Sequence, residues 1–166
     1  MTTEQFVQQL KSRREVDFPS GNRLSAPDLV QYGIAEVLGS LLPEGEVRDA
    51  LVVASLEDDN RLEWLLLLDH DLLQITGRFV EDQRKYKLTA THKTYPLETL
   101  VDVSLEAEQE GEGRQGQAFL RSVRLTLTFT SGAVTVAAAL PRDRTKQPQP
   151  QGILTFAQRV LAAERA

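Results

Sequence analysis

The chain has 166 residues, 41% of them apolar and 26% charged, with a formal net charge of −5. That composition supports one packed domain, argues against wholesale disorder, and lacks the concentrated Lys and Arg that nucleic-acid backbones or anionic membrane surfaces require. There is no cysteine, which removes disulfides, thiolate catalysis and Cys-ligated zinc or iron–sulfur centres.

The first ten residues contain neither a basic cluster nor an apolar run, so no secretory signal is expected and a cytoplasmic location is. Residues 3–15 carry Phe6, Val7 and Leu10 at helical spacing, and Thr2 and Gln5 are placed as a capping box. Residues 17–22 form a turn-rich break. A second helix is predicted from Ser25, a suitable N-cap, through Pro27 in its first turn to Leu42, ending at Pro43 and Gly45. Its broad apolar face includes Leu29, Ile34, Val37 and Leu41. A face of this kind must be covered by the same domain or by another subunit. Residues 1–45 are therefore expected to form a helical extension packed on the domain that follows, residues 46–166.

From residue 49 the apolar period shifts from helical to strand-like. Strands are predicted over 50–56, 62–68, 72–80, 85–91, 97–105, 118–130 and 133–140. In the third, Leu73 and Ile75 alternate with Gln74, Thr76 and Arg78. In the fourth, Tyr86, Leu88 and Ala90 are expected inward, with Lys85, Lys87 and Thr89 outward. Residues 106–117 make a charged, glycine-bearing tip, and Ser131-Gly132 a tight turn. Residues 141–150 are a basic, proline-containing loop. The chain closes with a helix whose apolar stripe is Ile153, Phe156, Ala157, Val160 and Leu161.

Three segments carry a family resemblance: Leu65-Leu-Leu-Leu-Asp-His-Asp-Leu-Leu-Gln-Ile75, Tyr95-Pro-Leu-Glu-Thr-Leu-Val-Asp-Val103, and Leu125-Thr-Leu-Thr-Phe-Thr-Ser-Gly-Ala-Val-Thr-Val136. Together with the order of seven strands and a final helix, they resemble bacterial pleckstrin-homology-like (PH-like) proteins over about residues 49–163. The resemblance implies a mainly β fold with flanking helices, in which two nearly orthogonal antiparallel sheets form a seven-stranded barrel or sandwich capped by the C-terminal helix. Two features depart from it. The turn Leu68-Asp-His-Asp71 lacks the arginine that many bacterial members carry, and the 106–117 tip is longer than usual.

No nucleophile–base–orienter set or metal-ligand spacing stands out, so neither an enzyme nor a cofactor is expected. Asp69, His70 and Asp71 are consecutive, and their side chains diverge along a turn rather than converging on a metal. Arg78, Arg84, Lys85, Lys87 and Lys93 define a candidate basic surface, although edge lysines also discourage unwanted strand pairing. By resemblance, the expected work is protein association or self-association, with an added strand or helix received at a groove or exposed edge. Two alternatives are a small apolar-ligand carrier, lined by Leu66, Ile75, Leu88 and Leu125, and an anionic headgroup binder using the basic surface.

Overall fold

The apolar run on either side of residue 70 folds as a β-hairpin at the middle of a four-stranded antiparallel sheet, and both faces of that sheet are covered. The computed structural model describes residues 1–12, 14–24, 34–54, 61–111, 119–139 and 150–166. In chain order the elements are α1 (Thr3–Lys11), β1 (Val16–Asp17), β2 (Arg23–Leu24), α2 (Ile34–Leu41), β3 (Asp49–Ala54), β4 (Arg61–Leu67), β5 (Asp71–Asp82) and β6 (Lys85–Pro96). A single 3-10 turn, Leu97–Thr99, leads to β7 (Leu100–Glu110), β8 (Phe119–Phe129), β9 (Gly132–Ala139) and α3 (Pro150–Glu164).

The strands form three antiparallel sheets: β1-β2, β3-β4-β5-β6 and β7-β8-β9. The fold is thus mainly β with a C-terminal helix, as the strand periodicity predicts. Among the described residues no ladder joins one sheet to another, so the strands do not close into a barrel. Two strands beyond the expected seven, β1 and β2, form a small hairpin across the turn-rich break at 17–22.

Period-two alternation sends successive residues of β4 into different cores. Leu65 and Leu67, with Leu51, Leu72 and Tyr95, pack against the three-stranded sheet and α3. Trp64 and Leu66, with Ala50, Leu73 and Ile75, pack against α1, β1, β2 and α2. A strand buried on both sides reads as a continuous apolar run, which is why residues 64–68 show no alternation. The helix α3 supplies Ile153, Phe156, Ala157 and Val160 at the i, i+3, i+4, i+7 spacing of one face.

The N-terminal segment is tied down by several independent contacts. Thr2 and Gln5 form the reciprocal capping box, at 3.0 and 3.1 Å. The Thr3 and Val47 amides donate to the carbonyls of Gly45 and Met1 at 2.9 and 2.8 Å, clasping the chain start to the approach to β3. Phe6 meets Phe18 edge-on, with ring centroids 5.7 Å apart. In α2, Leu38 is fully buried and Ala35 nearly so, both in the cluster that contains Phe6, Val7 and Leu10.

Several sequence expectations need correction. The first helix ends at Lys11, four residues before the predicted end. The fourth strand runs on to Pro96. Within the predicted stretch its facing is as expected, with Ala90 packed toward the N-terminal cluster and Lys85, Lys87 and Thr89 exposed, but in the added part Tyr95, of the same parity as Lys85 and Lys87, enters the core under the three-stranded sheet. The start of the second predicted helix, residues 25–33 with Leu29, lies outside the described residues.

The β1–β2 turn also reaches α3. An added Cβ at Gly152 would lie 2.3 Å from Asn22 Oδ1, so only glycine fits at this crossing. Asn22 cannot easily retreat: it is 6% exposed and its Nδ2 donates to Ser20 Oγ at 2.7 Å. Gly152→Ala is therefore expected to destabilise the protein by about 1–3 kcal/mol. Asn22→Ala combined with it should cost less than the sum of the two single changes. Chemical denaturation of the four proteins measures this coupling; strict additivity would contradict the contact.

Candidate functional site

Residues 85–96 and 100–110 form the two long strands that flank the Leu97–Thr99 turn, and each lies at the margin of its sheet. Among the described residues β6 pairs only with β5, and β7 only with β8. Each therefore presents one row of backbone amides and carbonyls that no described strand occupies.

The β5–β6 hairpin turns at Gln83 and Arg84, whose φ values of 44° and 68° are both in the left-handed region. Such a two-residue turn matches the right-handed twist of the flanking strands, although neither residue has the conformational freedom of Gly or Asn. The turn fixes the register Asp82 opposite Lys85, Val80 opposite Lys87 and Arg78 opposite Thr89. Alternation then places Arg78, Lys85, Lys87 and Lys93 on one face of the four-stranded sheet, with Arg84 at the turn. All five of these predicted basic residues are exposed.

The same face turns polar where the apolar core ends. Glu63, 8% exposed, accepts from Arg61 Nε and Nη2 at 2.9 and 2.6 Å, from Thr76 Oγ1 at 2.9 Å and from Gln74 Nε2 at 3.2 Å. The Tyr95 hydroxyl extends the network by donating to Gln74 Oε1 at 3.3 Å. A buried carboxylate satisfied in this way is structural rather than reactive. Lys93 is held at the border: its Nζ donates to the Ser131 carbonyl at 3.1 Å and lies 4.8 Å from the centroid of the Tyr95 ring.

The opposite sign prevails on β7. Asp102, Glu106, Glu108 and Glu110 are all exposed. Glu106 approaches Arg124 of β8 at 3.9 Å, Glu110 pairs with Arg121, and Glu108 accepts from Ser122 Oγ at 3.3 Å. Register shifts at Val101 and beside Glu108 frame a regular stretch between them. Val101, the extra residue at the first shift, is 62% exposed, and Leu105 is 44% exposed. Leu105 shares a face with Val103, which packs on the core, so it sits at the core's outer rim. Glu106, Glu108, Ser122 and Arg124 line a shallow surface depression of about 370 Å³ at this end of the sheet.

The other predicted site residues take quieter positions. Val37 and Leu41 are half-buried on α2, and Ile34 begins that helix. His70 is exposed, while Asp69 is bound by Arg48 Nε at 2.7 Å, which holds its carboxyl below the ordinary range. Among the described residues no group of three His, Asp or Glu side chains is placed to hold a metal ion. None of the described helices is long and apolar enough to cross a membrane. No model of a known protein family matches the chain, and no curated protein matches its sequence.

One buried acid escapes sequence reasoning because nothing marks it among the polar residues before β3. Asp49 is fully buried; its Oδ1 accepts from Ser20 Oγ at 2.7 Å and from the Ala50 amide at 2.9 Å, and its Oδ2 has no partner among the described residues. Burial raises its carboxyl above the ordinary value of 3.8, opposed by the Ser20 and Ala50 hydrogen bonds and the positive charge of Arg159. The folded state thus keeps this proton to higher pH than the unfolded chain does. The associated stability is present in full below pH 3.8 and is lost as pH rises through the folded value. Relative to the wild type, Asp49→Asn should accordingly be more stable at pH 7 than at pH 4, as read by denaturant unfolding across that range. A difference independent of pH would contradict the raised carboxyl.

Proposed function

We propose that this chain is a non-catalytic, cytoplasmic PH-like binding module that associates with protein, a second copy of itself included, by adding a strand at β7. The observation that carries this reading is a combination found on β7. It is an 11-residue strand at a sheet margin, with Val101 and Leu105 exposed beside a row of backbone groups that no described strand occupies. In strand addition the backbone row supplies general affinity, and alternate side chains supply selectivity. Leu105, at the rim of the core, is placed to receive an apolar side chain, and the neighbouring acids favour a partner strand that carries cations.

The apolar-ligand carrier is less well supported. Leu66 and Ile75 belong to the cluster under the N-terminal elements, and Leu125 to the opposite one, so these residues cannot line one cavity. All three are fully buried.

Selection of displayed random peptides on the immobilised protein tests the reading. Extended sequences bearing lysine or arginine should be enriched, and Leu105→Glu should weaken their binding by roughly tenfold or more, equivalent to about 1.4 kcal/mol. Enriched peptides that bind Leu105→Glu undiminished would contradict a site on β7. A failure to enrich any peptide, together with a strict monomer at high protein concentration, would remove the reading altogether.

A further inference from the structure

Charge divides unequally between the marginal strands β6 and β7. The exposed ionised side chains of β6 are Lys85, Lys87 and Lys93, and those of β7 are Asp102, Glu106, Glu108 and Glu110. Arg121 and Arg124 on β8 offset two of the four acids and leave the β7 margin negative. Two copies meeting β6 to β6, or β7 to β7, would set like charges opposite one another, which is unfavourable in a sheet. Meeting β6 to β7 sets opposite charges together. Lysines on one margin therefore do more than repel: among the pairings of these two margins they leave only β6 to β7 complementary.

The spacing sharpens this complementarity. On β6 the lysines stand at 85, 87 and 93, intervals of two and six residues, all on one face. On β7 three acids stand at 102, 108 and 110, intervals of six and two, also on one face of a stretch in which β7 has no extra residue. In one antiparallel register Lys93 lies opposite Asp102, Lys87 opposite Glu108 and Lys85 opposite Glu110, with every charge on the same side. Leu105 then falls opposite Ala90 on the other side.

We infer that the partner strand for β7 is β6 of a second copy of this chain, held in that register. The inference rests on the strand-addition reading above and names its occupant. A pair of copies related by a twofold axis makes the contact twice, β6 to β7 and β7 to β6, and so closes as a dimer without a free edge of either kind. Because the matched charges are exposed, association weakens as salt screens them.

Single charge reversals at one matched position test the inference in the full-length protein. Sedimentation velocity over a concentration series should show the wild type dimerising, with weaker association as ionic strength rises from about 0.05 to about 0.5 M. Lys87→Glu and Glu108→Lys, each alone, should weaken dimerisation on the order of tenfold, and an equimolar mixture of the two should restore it. Thermal melts equal to the wild type's would show that both variants fold. Variants that dimerise as tightly as the wild type, or a mixture that fails to recover, would overturn the β6–β7 register while leaving self-association intact. A monomeric wild type that still binds selected peptides through Leu105 would overturn the dimer and leave the binding-module reading standing. A monomeric wild type that pellets with vesicles of anionic phospholipid, in a manner lost in Lys87→Glu, would overturn it by assigning the lysines to a lipid surface.

Discussion

The structure depends on one strand serving two cores. Across Trp64–Leu67, alternate side chains enter opposite hydrophobic clusters, one shared with the three-stranded sheet and α3, the other with the N-terminal elements. Removing any one of these side chains would open a cavity in a tightly packed layer, at a cost of about 2–5 kcal/mol for a leucine. Sharing a sheet in this way couples the two clusters, since neither half of the molecule can lose its packing without exposing a face of β4 and β5. One imperfection is visible: the indole N–H of Trp64 is buried without an acceptor among the described residues, a penalty of about 1–3 kcal/mol that the burial of the large ring outweighs.

Polar contacts reinforce the coupling at one corner. Asn22 and Ser20, in the β1–β2 turn, reach Asp49 at the start of β3, while the absence of a side chain at Gly152 lets α3 approach the same turn. Three segments distant in sequence therefore converge on one buried carboxyl. The N-terminal segment is thus held both by its apolar stripe and by this hydrogen-bonded turn, and it covers what would otherwise be the open face of the sheet.

Much of this architecture is legible in the sequence, and the exceptions have physical causes. The capping box at Thr2 and Gln5, the β4–β5 hairpin and the stripe of α3 depend on local spacing, and local spacing is what a sequence displays. The small β1–β2 hairpin was hidden because two-residue strands have no period to detect. Along β6 alternation separates the inward Ala90 from the outward Lys85 and Lys87, but it cannot say which of two cores a residue enters, and Tyr95 on the lysine face joins the opposite one. The candidate site was half visible. Arg78, Lys85, Lys87 and Lys93 could be picked out as basic and do share a face, but that β6 and β7 lie at sheet margins is a property of pairing between distant segments. Val101 looked like a core position until the shift in register turned it to the surface, and Asp49 resembled any acid in a polar approach to a strand.

The fold concentrates its burial in β4 and β5 and leaves β6 and β7 each with one side that no described strand occupies, carrying charges of opposite sign. Native-state hydrogen exchange measured at low and high protein concentration tests this account most directly. The account predicts that amides of β4 and β5 are protected throughout, while the outward-facing amides of β6 and β7 exchange quickly when dilute and gain protection together as concentration rises. Exchange of the β6 and β7 amides that does not change with concentration, or protection that appears instead along β9, would contradict it.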